Sequence, residues 1–325
     1  MEPKANHLLE LRGVVTQFPT RRGIVWAVND VSFALQHGER MGLVGESGCG
    51  KSMTCLSIMR LVPDPGRVVR GEVWLENENL LSLSDASMCR YRGGKIGMVF
   101  QDPMMSLNPS MRIGRQIAEG VETHLDMSPR GARKRAVELL ETVGIPSASS
   151  RADDYQHQFS GGMRQRAMIA IALACSPRLL IADEPTTSLD VTIQAQILDL
   201  IRSLSEEFGT AVLLISHDLG VIAEICDKVA VMYAGRIVES ASLEEFFAHP
   251  RHPYSMGLLR SIPSIRRGLR ERLTPIDGRP PDLVDPSPGC PFLPRCSRTI
   301  ERCEVEMPPL GEAIEQHQLA CWNPH

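Results

Sequence analysis

Long apolar runs are missing from this chain: the stretch around Met168 to Cys175 is the longest, far short of the ~18 residues that span a bilayer. A role at a membrane would have to run through something already embedded there. Charge of one sign is missing too. Lys and Arg number 35 against 39 Asp and Glu, a net charge of -4, so no global field draws the chain to nucleic acid. Met1 to His7 lack the apolar core of a signal peptide, no internal repeat is visible, and no heptad run points to a coiled coil. Five of the 9 cysteines (Cys49, Cys55, Cys89, Cys175, Cys226) are scattered without pairing logic, and the rest crowd the C-terminal end. With no export signal, a reducing compartment is expected and a disulfide framework is the weaker reading.

What is present belongs to a globular protein, with 43% hydrophobic and 23% charged residues. The 325 residues suffice for one large α/β domain with an appendage, or for two ordinary domains. Residues 8–18 and 25–35 read as strands, and Arg40 to Val44 as a short buried strand. Ser52 to Leu61 has helical spacing and stops before Pro63-Asp64-Pro65-Gly66. Residues 71–100 read as further strands ending in Ile96 to Phe100. From about 105 to 165 the pattern turns helical, with Ala136, Leu139, Leu140 and Val143 on one stripe before Gly144-Ile145-Pro146. Strand-like runs at 178–182, 211–215 and 229–233 then alternate with helices, the sign of a mostly parallel sheet covered by helices. Beyond about 246 the chain is rich in proline and cannot build a long helix or a central strand.

Three groups of residues carry chemistry. Gly45-Glu46-Ser47-Gly48-Cys49-Gly50-Lys51-Ser52 fits G-x-x-x-x-G-K-[ST] between a strand and a helix, the context this phosphate cradle requires. Its backbone N–H groups can wrap phosphates, Lys51 adds a point charge, and Ser52 offers a hydroxyl to Mg²⁺. Asp183 and Glu184 follow an apolar run and emerge at a strand's C-terminal edge, where α/β sheets bind ligands. Asp183 suits Mg²⁺ and Glu184 suits activation of water; a helix cap is the bland reading of the pair. Ser160-Gly161-Gly162-Met163 places two glycines at a helix start, where a backbone can approach a phosphate. Gln101, at the end of Ile96–Phe100, can reach Mg²⁺ or water, and His217, after Ala211–Ile215, can contact a γ-phosphate. Taken alone, each is more often an ordinary scaffold residue, and His157 is read as one.

With these residues in order, the chain resembles the ATP-binding subunits of ABC importers over nearly its full length, and most of all the oligopeptide/dipeptide group. Gly45–Ser52 matches Walker A, Gln101 the Q-loop, Ser160–Met163 the signature, Leu179–Glu184 Walker B, Ser188-Leu189-Asp190 the D-loop and His217 the switch histidine. The resemblance implies an α/β fold: a RecA-like P-loop core with an antiparallel β subdomain and a helical subdomain over about 105–165. This nucleotide-binding domain would span 1–245, with a Pro/Cys-rich extension over 246–325. It further implies that two cassettes pack head to tail, with ATP between one chain's Gly45–Ser52 and the other's Ser160-Gly161-Gly162. The expected partners are a sibling cassette (a heterodimer over a homodimer), two transmembrane permease subunits and an extracytoplasmic peptide-binding protein, with no nucleic acid. The expected place is the cytoplasmic face of the inner membrane. Met104, Met105, Leu107 and Ile113 would meet the permease, with burial in the core as the alternative. Import of nickel or another small solute is the alternative; a soluble ABC ATPase acting on nucleic acid or ribosomes is the reading from another class.

Some positions depart from the family's pattern. The signature has Met163 where many members carry Gln. Adenine would stack on Phe18, or on Trp26. Cys49, at a helix start beside Lys51, is expected to be unusually acidic and reactive. In the tail, His249 to Leu259 resembles the His-Pro-Tyr element of peptide and nickel importer subunits; its bland reading is an ordinary helix start that docks the tail. Cys290, Cys296, Cys303 and Cys321 could anchor a segment with little core by binding a metal centre. Related subunits imply a [4Fe–4S] cluster there, with zinc as the competitor because four thiolates suit it as well.

Overall fold

Two long antiparallel strands, β1 (His7–Thr20) and β2 (Gly23–Gln36), form a hairpin whose β-bulges curl it over the following helix. The computed structural model describes residues 7–187, 189–261, 276–314 and 316–325. β3 (Arg40–Val44) leaves the hairpin for a second sheet, while β4 (Arg67–Leu75) and β5 (Glu78–Asn79) return to it, giving the order β2-β1-β4-β5. This sheet presses Leu9, Leu11, Val28, Val31, Val73 and Leu75 onto Cys55 and Ile58 of the helix Lys51–Ile58. It is the antiparallel subdomain that the resemblance implies.

The second sheet holds β6 (Ile96–Val99), β7 (Leu179–Asp183), β8 (Ala211–Ser216), β9 (Lys228–Tyr233), β10 (Arg236–Ser242), β11 (Gly311–Ile314) and β12 (His317–Leu319). Its order is β11-β12-β10-β9-β3-β8-β7-β6, parallel from β9 to β6 and antiparallel at the other end. Every residue of β6, β7 and β8 is buried, the unbroken apolar pattern of strands covered on both faces. Helices Ile113–His124 and Pro129–Thr142 form a lobe beside this sheet and bury the predicted stripe of Ala136, Leu139, Leu140 and Val143.

The fold differs from the sequence expectation in two places. Asp85–Tyr91 is a helix inside the region read as strands: Ser84 caps it by accepting the Ser87 N–H at 3.2 Å. The proline-rich tail is tied to both sheets. β12 extends the central sheet beside β10, pairing Leu319 with Glu239, and Leu283 accepts the Trp26 N–H at 2.9 Å. The Glu239 carboxylate, fully buried, accepts the N–H groups of Arg251 (2.7 Å) and His252 (3.1 Å) and meets His317 Nε2 at 2.8 Å. A strand as short as His317–Leu319 has no periodicity to read, so its addition to the central sheet was not visible in the sequence.

Candidate active site

The cradle, the carboxylates and the histidine meet because β3, β7 and β8 are parallel neighbours whose C-terminal ends open on one edge. β3 runs into Gly45–Gly50. Gly45 (φ 154) and Gly50 (φ 110) are required by packing as well as conformation: a Cβ would lie 2.2 Å from the Met232 carbonyl oxygen and 2.2 Å from that of Ala27, respectively. Gly48, by contrast, has open space above it. Lys51 is buried, and its Nζ donates to the carbonyls of Gly45 (2.7 Å) and Glu46 (3.1 Å), closing the loop on itself.

Ser52 Oγ donates to Asp183 Oδ1 at 2.9 Å, so the hydroxyl and carboxylate assigned to Mg²⁺ converge. Burial pushes the Asp183 carboxyl above its ordinary range, partly offset by the Ser52 hydrogen bond. A divalent cation there would relieve that cost. Hydroxyl and carboxylate are the hard oxygen donors Mg²⁺ requires.

Glu184 sits in left-handed backbone (φ 46), unusual for a residue with a side chain, and its N–H is fixed to the Ile215 carbonyl at 3.0 Å. That twist turns its carboxylate to three partners: Gln101 Nε2 (3.1 Å), Thr187 Oγ1 (2.9 Å) and His217 Nδ1 (3.2 Å). Thr187 was missed in the sequence; nothing in its spacing distinguishes it from the threonines around it. Glu184 therefore does not cap the following helix, whose N-cap is Asp190, and Gln101 and His217 both stand against its carboxylate.

Ser160 caps the helix Gly161–Leu173 by accepting the Met163 N–H at 3.3 Å. Above Gly161 there is open space, so its backbone faces solvent, whereas a Cβ on Gly162 would lie 3.1 Å from Ile193 Cγ2. Asp190 caps Val191–Phe208 through the Ile193 N–H at 3.0 Å, and Val191 beside it is 82% exposed; Ser188 lies outside the described residues. Phe18 packs on Gly66, whereas Trp26 lines a cavity of about 300 Å³ beneath the proline-rich tail.

The expectation of an acidic, reactive Cys49 is overturned. The thiol is 6% exposed, and burial raises its pKa more than the Lys51 charge lowers it. The surface proposed to meet a permease divides: Met104 (61% exposed) and Met105 (86%) project outward, while Leu107 and Ile113 are core. His157 is exposed and stacks on Tyr155.

Cys290, Cys296, Cys303 and Cys321 line one cavity of about 10 Å³ with His252, Phe292 and Trp322. The Cys321 thiol is pushed up to about 11, by burial first and then by the other three cysteines. His252 spends one ring nitrogen accepting the Tyr254 N–H at 3.1 Å and the other on the Ala320 carbonyl, which leaves the cysteines as the donors. Among the described residues, no three His, Cys, Asp or Glu side chains stand arranged around a single metal ion.

Comparison with known proteins agrees with this geometry. A family model described as "ABC transporter" matches residues 28–187, and one described as "Oligopeptide/dipeptide transporter, C-terminal region" matches residues 238–303. The chain is 52% identical to a probable peptide ABC transporter ATP-binding protein of Sinorhizobium fredii, over 99% of this chain and 96% of that one. It is 49% identical to the oligopeptide transport ATP-binding protein OppD of Bacillus subtilis, over 99% and 90%. With the dipeptide transport ATP-binding protein DppD of the same organism the identity is 48%, over 97% and 94%. Among solved structures, the dimeric ATP-binding cassette MJ0796 in a post-hydrolysis state with ADP and Pi superposes with a TM-score of 0.66 at 29% identity, over 72% of this chain and 98% of that one. With both family models matched and identities of about half over nearly the whole chain, the protein belongs to the family of ABC transporter ATP-binding subunits, in its oligopeptide/dipeptide group.

Proposed function

We propose that the chain binds and hydrolyses ATP to power an ABC importer of di- or oligopeptides. The observation that carries this reading is the convergence on one sheet edge of Gly45–Ser52, Asp183 and a Glu184 carboxylate held by Gln101, Thr187 and His217. Gly45 to Ser52, Ser47, Gly48, Cys49 and Gly50 included, would cradle the triphosphate through backbone N–H groups, while the Glu46 N–H is committed to Tyr254 Oη at 2.8 Å; Phe18 is the candidate to stack on adenine. Ser52, Asp183 and Gln101 would hold Mg²⁺, which when bound neutralises charge on the β- and γ-phosphates. Glu184 accepts a proton from the attacking water as its oxygen bonds the γ-phosphorus and the bond to the ADP oxygen breaks. His217 and Gln101 keep the carboxylate aimed, and Lys51 exchanges its carbonyl contacts for phosphate oxygens.

The exposed backbone at Gly161 supports a composite site, in which Ser160, Gly161 and Gly162 of a second cassette close over the γ-phosphate and Asp190 lies near the seam. The mate is a sibling cassette, and the pair drives two permease subunits fed by a peptide-binding protein. Exposed Met104 and Met105 suit an apolar contact with a permease. Among the described residues no helix is long and apolar enough to cross a membrane, consistent with peripheral attachment at the cytoplasmic face. The relatives' names favour peptides over nickel.

For the four cysteines we keep the [4Fe–4S] cluster as the proposal, with zinc as the alternative. Four soft thiol donors line one cavity, which supports it. Anaerobic purification with iron, sulfide and zinc analysis tests this; a colourless chain carrying one zinc per copy excludes the cluster. Affinity purification from membranes with mass spectrometry tests the transporter assignment, with a peptide-type permease pair expected among the retained proteins.

A further inference from the structure

A guanidinium in the C-terminal extension is buried against the phosphate cradle. The Arg295 side chain is 2% exposed, so all of its donors must be met inside the protein. Two of them form a fork on Glu46, at 2.6 Å to Oε2 and 2.9 Å to Oε1. The rest go to the Asp277 carbonyl (2.9 Å), the Ile276 carbonyl (3.2 Å) and Tyr233 Oη (3.3 Å). Glu46 is held a second time through its backbone, whose N–H donates to Tyr254 Oη at 2.8 Å. Tyr254 belongs to the helix Pro253–Arg260 and is fully buried; Phe292 packs on both tyrosines, edge-on to Tyr233 at 5.2 Å and tilted to Tyr254 at 5.4 Å.

Glu46 is the second residue of a loop built to take a polyphosphate. An unpaired carboxylate there would repel the ligand, and its rotamer would be free to pull the loop out of shape. Arg295 removes both problems with one contact. The solved cassette described above is matched over 98% of its length by only 72% of this chain, so a cassette core is complete without the remaining share. The extension's grip on Glu46 is therefore an added control on the cradle.

We propose that Arg295 is a positioning residue for nucleotide binding: it neutralises Glu46 and, with Tyr254, holds the cradle in its receptive shape, so that the C-terminal extension sets the affinity of the site. This rests on the reading of Gly45–Ser52 as the ATP cradle, and the test separates the two.

Titration of the full-length chain with a fluorescent ATP analogue gives the affinity of wild type, Arg295→Met, Arg295→Lys, Glu46→Gln, the Glu46→Gln/Arg295→Met pair and Lys51→Ala, each with a melting temperature. Arg295→Met weakens binding by roughly tenfold or more, the scale of a charge-assisted pair. Arg295→Lys falls between, because an ammonium cannot fork onto a carboxylate. The double variant regains most of the loss, since no charge is left to neutralise; a purely structural anchor would give no such recovery. Binding by Arg295→Met within about twofold of wild type, with Lys51→Ala silent, overturns the proposal and leaves the cradle standing. A double variant no better than Arg295→Met also overturns it. Lys51→Ala binding as wild type overturns the cradle reading itself. Should Arg295→Met fail to fold, Arg295→Lys and the double variant decide: wild-type affinity in Arg295→Lys counts against the proposal, and an intermediate value supports it.

Discussion

The nucleotide edge and the C-terminal extension are built by different means. At the edge, parallel strands β3, β7 and β8 carry Gly45, Asp183 and Glu184, and His217 to their places through backbone pairing. The extension has short strands, many prolines and little core. It is held by short pairings, such as Leu319 with Glu239 and Leu283 with Trp26, and by polar anchors with a buried member: Glu239 with His317, and Arg295 with Glu46. Topology makes the first region robust and leaves its side chains free for chemistry. In the second, loss of one buried charged group is expected to loosen the segment it anchors.

That contrast can be broken or sharpened by substitution. The largest effect belongs to chemistry: Glu184→Gln keeps nucleotide binding and lowers turnover by roughly 10²–10⁴-fold, the range for a lost general base. Full hydrolysis by this variant would remove Glu184 from that role. At the anchor, Glu239→Ala strands two buried N–H groups and His317, costing about 3–5 kcal/mol, the scale for breaking a buried pair. Chemical denaturation and limited proteolysis of the tail read this out, and an unchanged midpoint would contradict the anchor account.

Asp183→Asn separates stability from function. Burial raises this carboxyl in the folded state, so the fold binds its proton more readily than the unfolded chain does. Ionisation of Asp183 therefore subtracts stability as pH rises through the carboxylate range. The nucleotide-free Asn variant should melt no lower than wild type near neutrality, lose that part of the pH dependence, and lose Mg²⁺-dependent turnover. Melting curves against pH, with turnover beside them, check each element.

Gly161→Ala has a smaller effect on the single chain, because a Cβ there meets nothing within 4 Å. Its melting temperature should match wild type, while assembled turnover falls as the methyl intrudes on the seam. The smallest effect is chemical. Alkylation under native conditions should reach exposed Cys89 before buried Cys49, and leave ATP turnover unchanged at one label per chain. Mass spectrometry of labelled peptides gives the order.

The legibility of the sequence followed the same divide. Each motif of the edge is a local string tied to one strand end, so its position and partners could be read together. Thr187 escaped because a lone threonine has no pattern, and Cys49 was misjudged because a string does not reveal that the loop folds over its own thiol. The helix Asp85–Tyr91 was hidden in a region read as strands, its Ser84 cap the overlooked signal. In the extension the decisive contacts join residues far apart in the chain, Arg295 to Glu46 and His317 to Glu239, which no periodicity encodes.

ATP turnover per chain, measured across a dilution series alone and with a sibling cassette added, tests most directly whether two cassettes build one catalytic site. The composite site predicts that turnover per chain collapses on dilution and is restored by the mate. A constant rate per chain down to concentrations at which only single copies remain would contradict it.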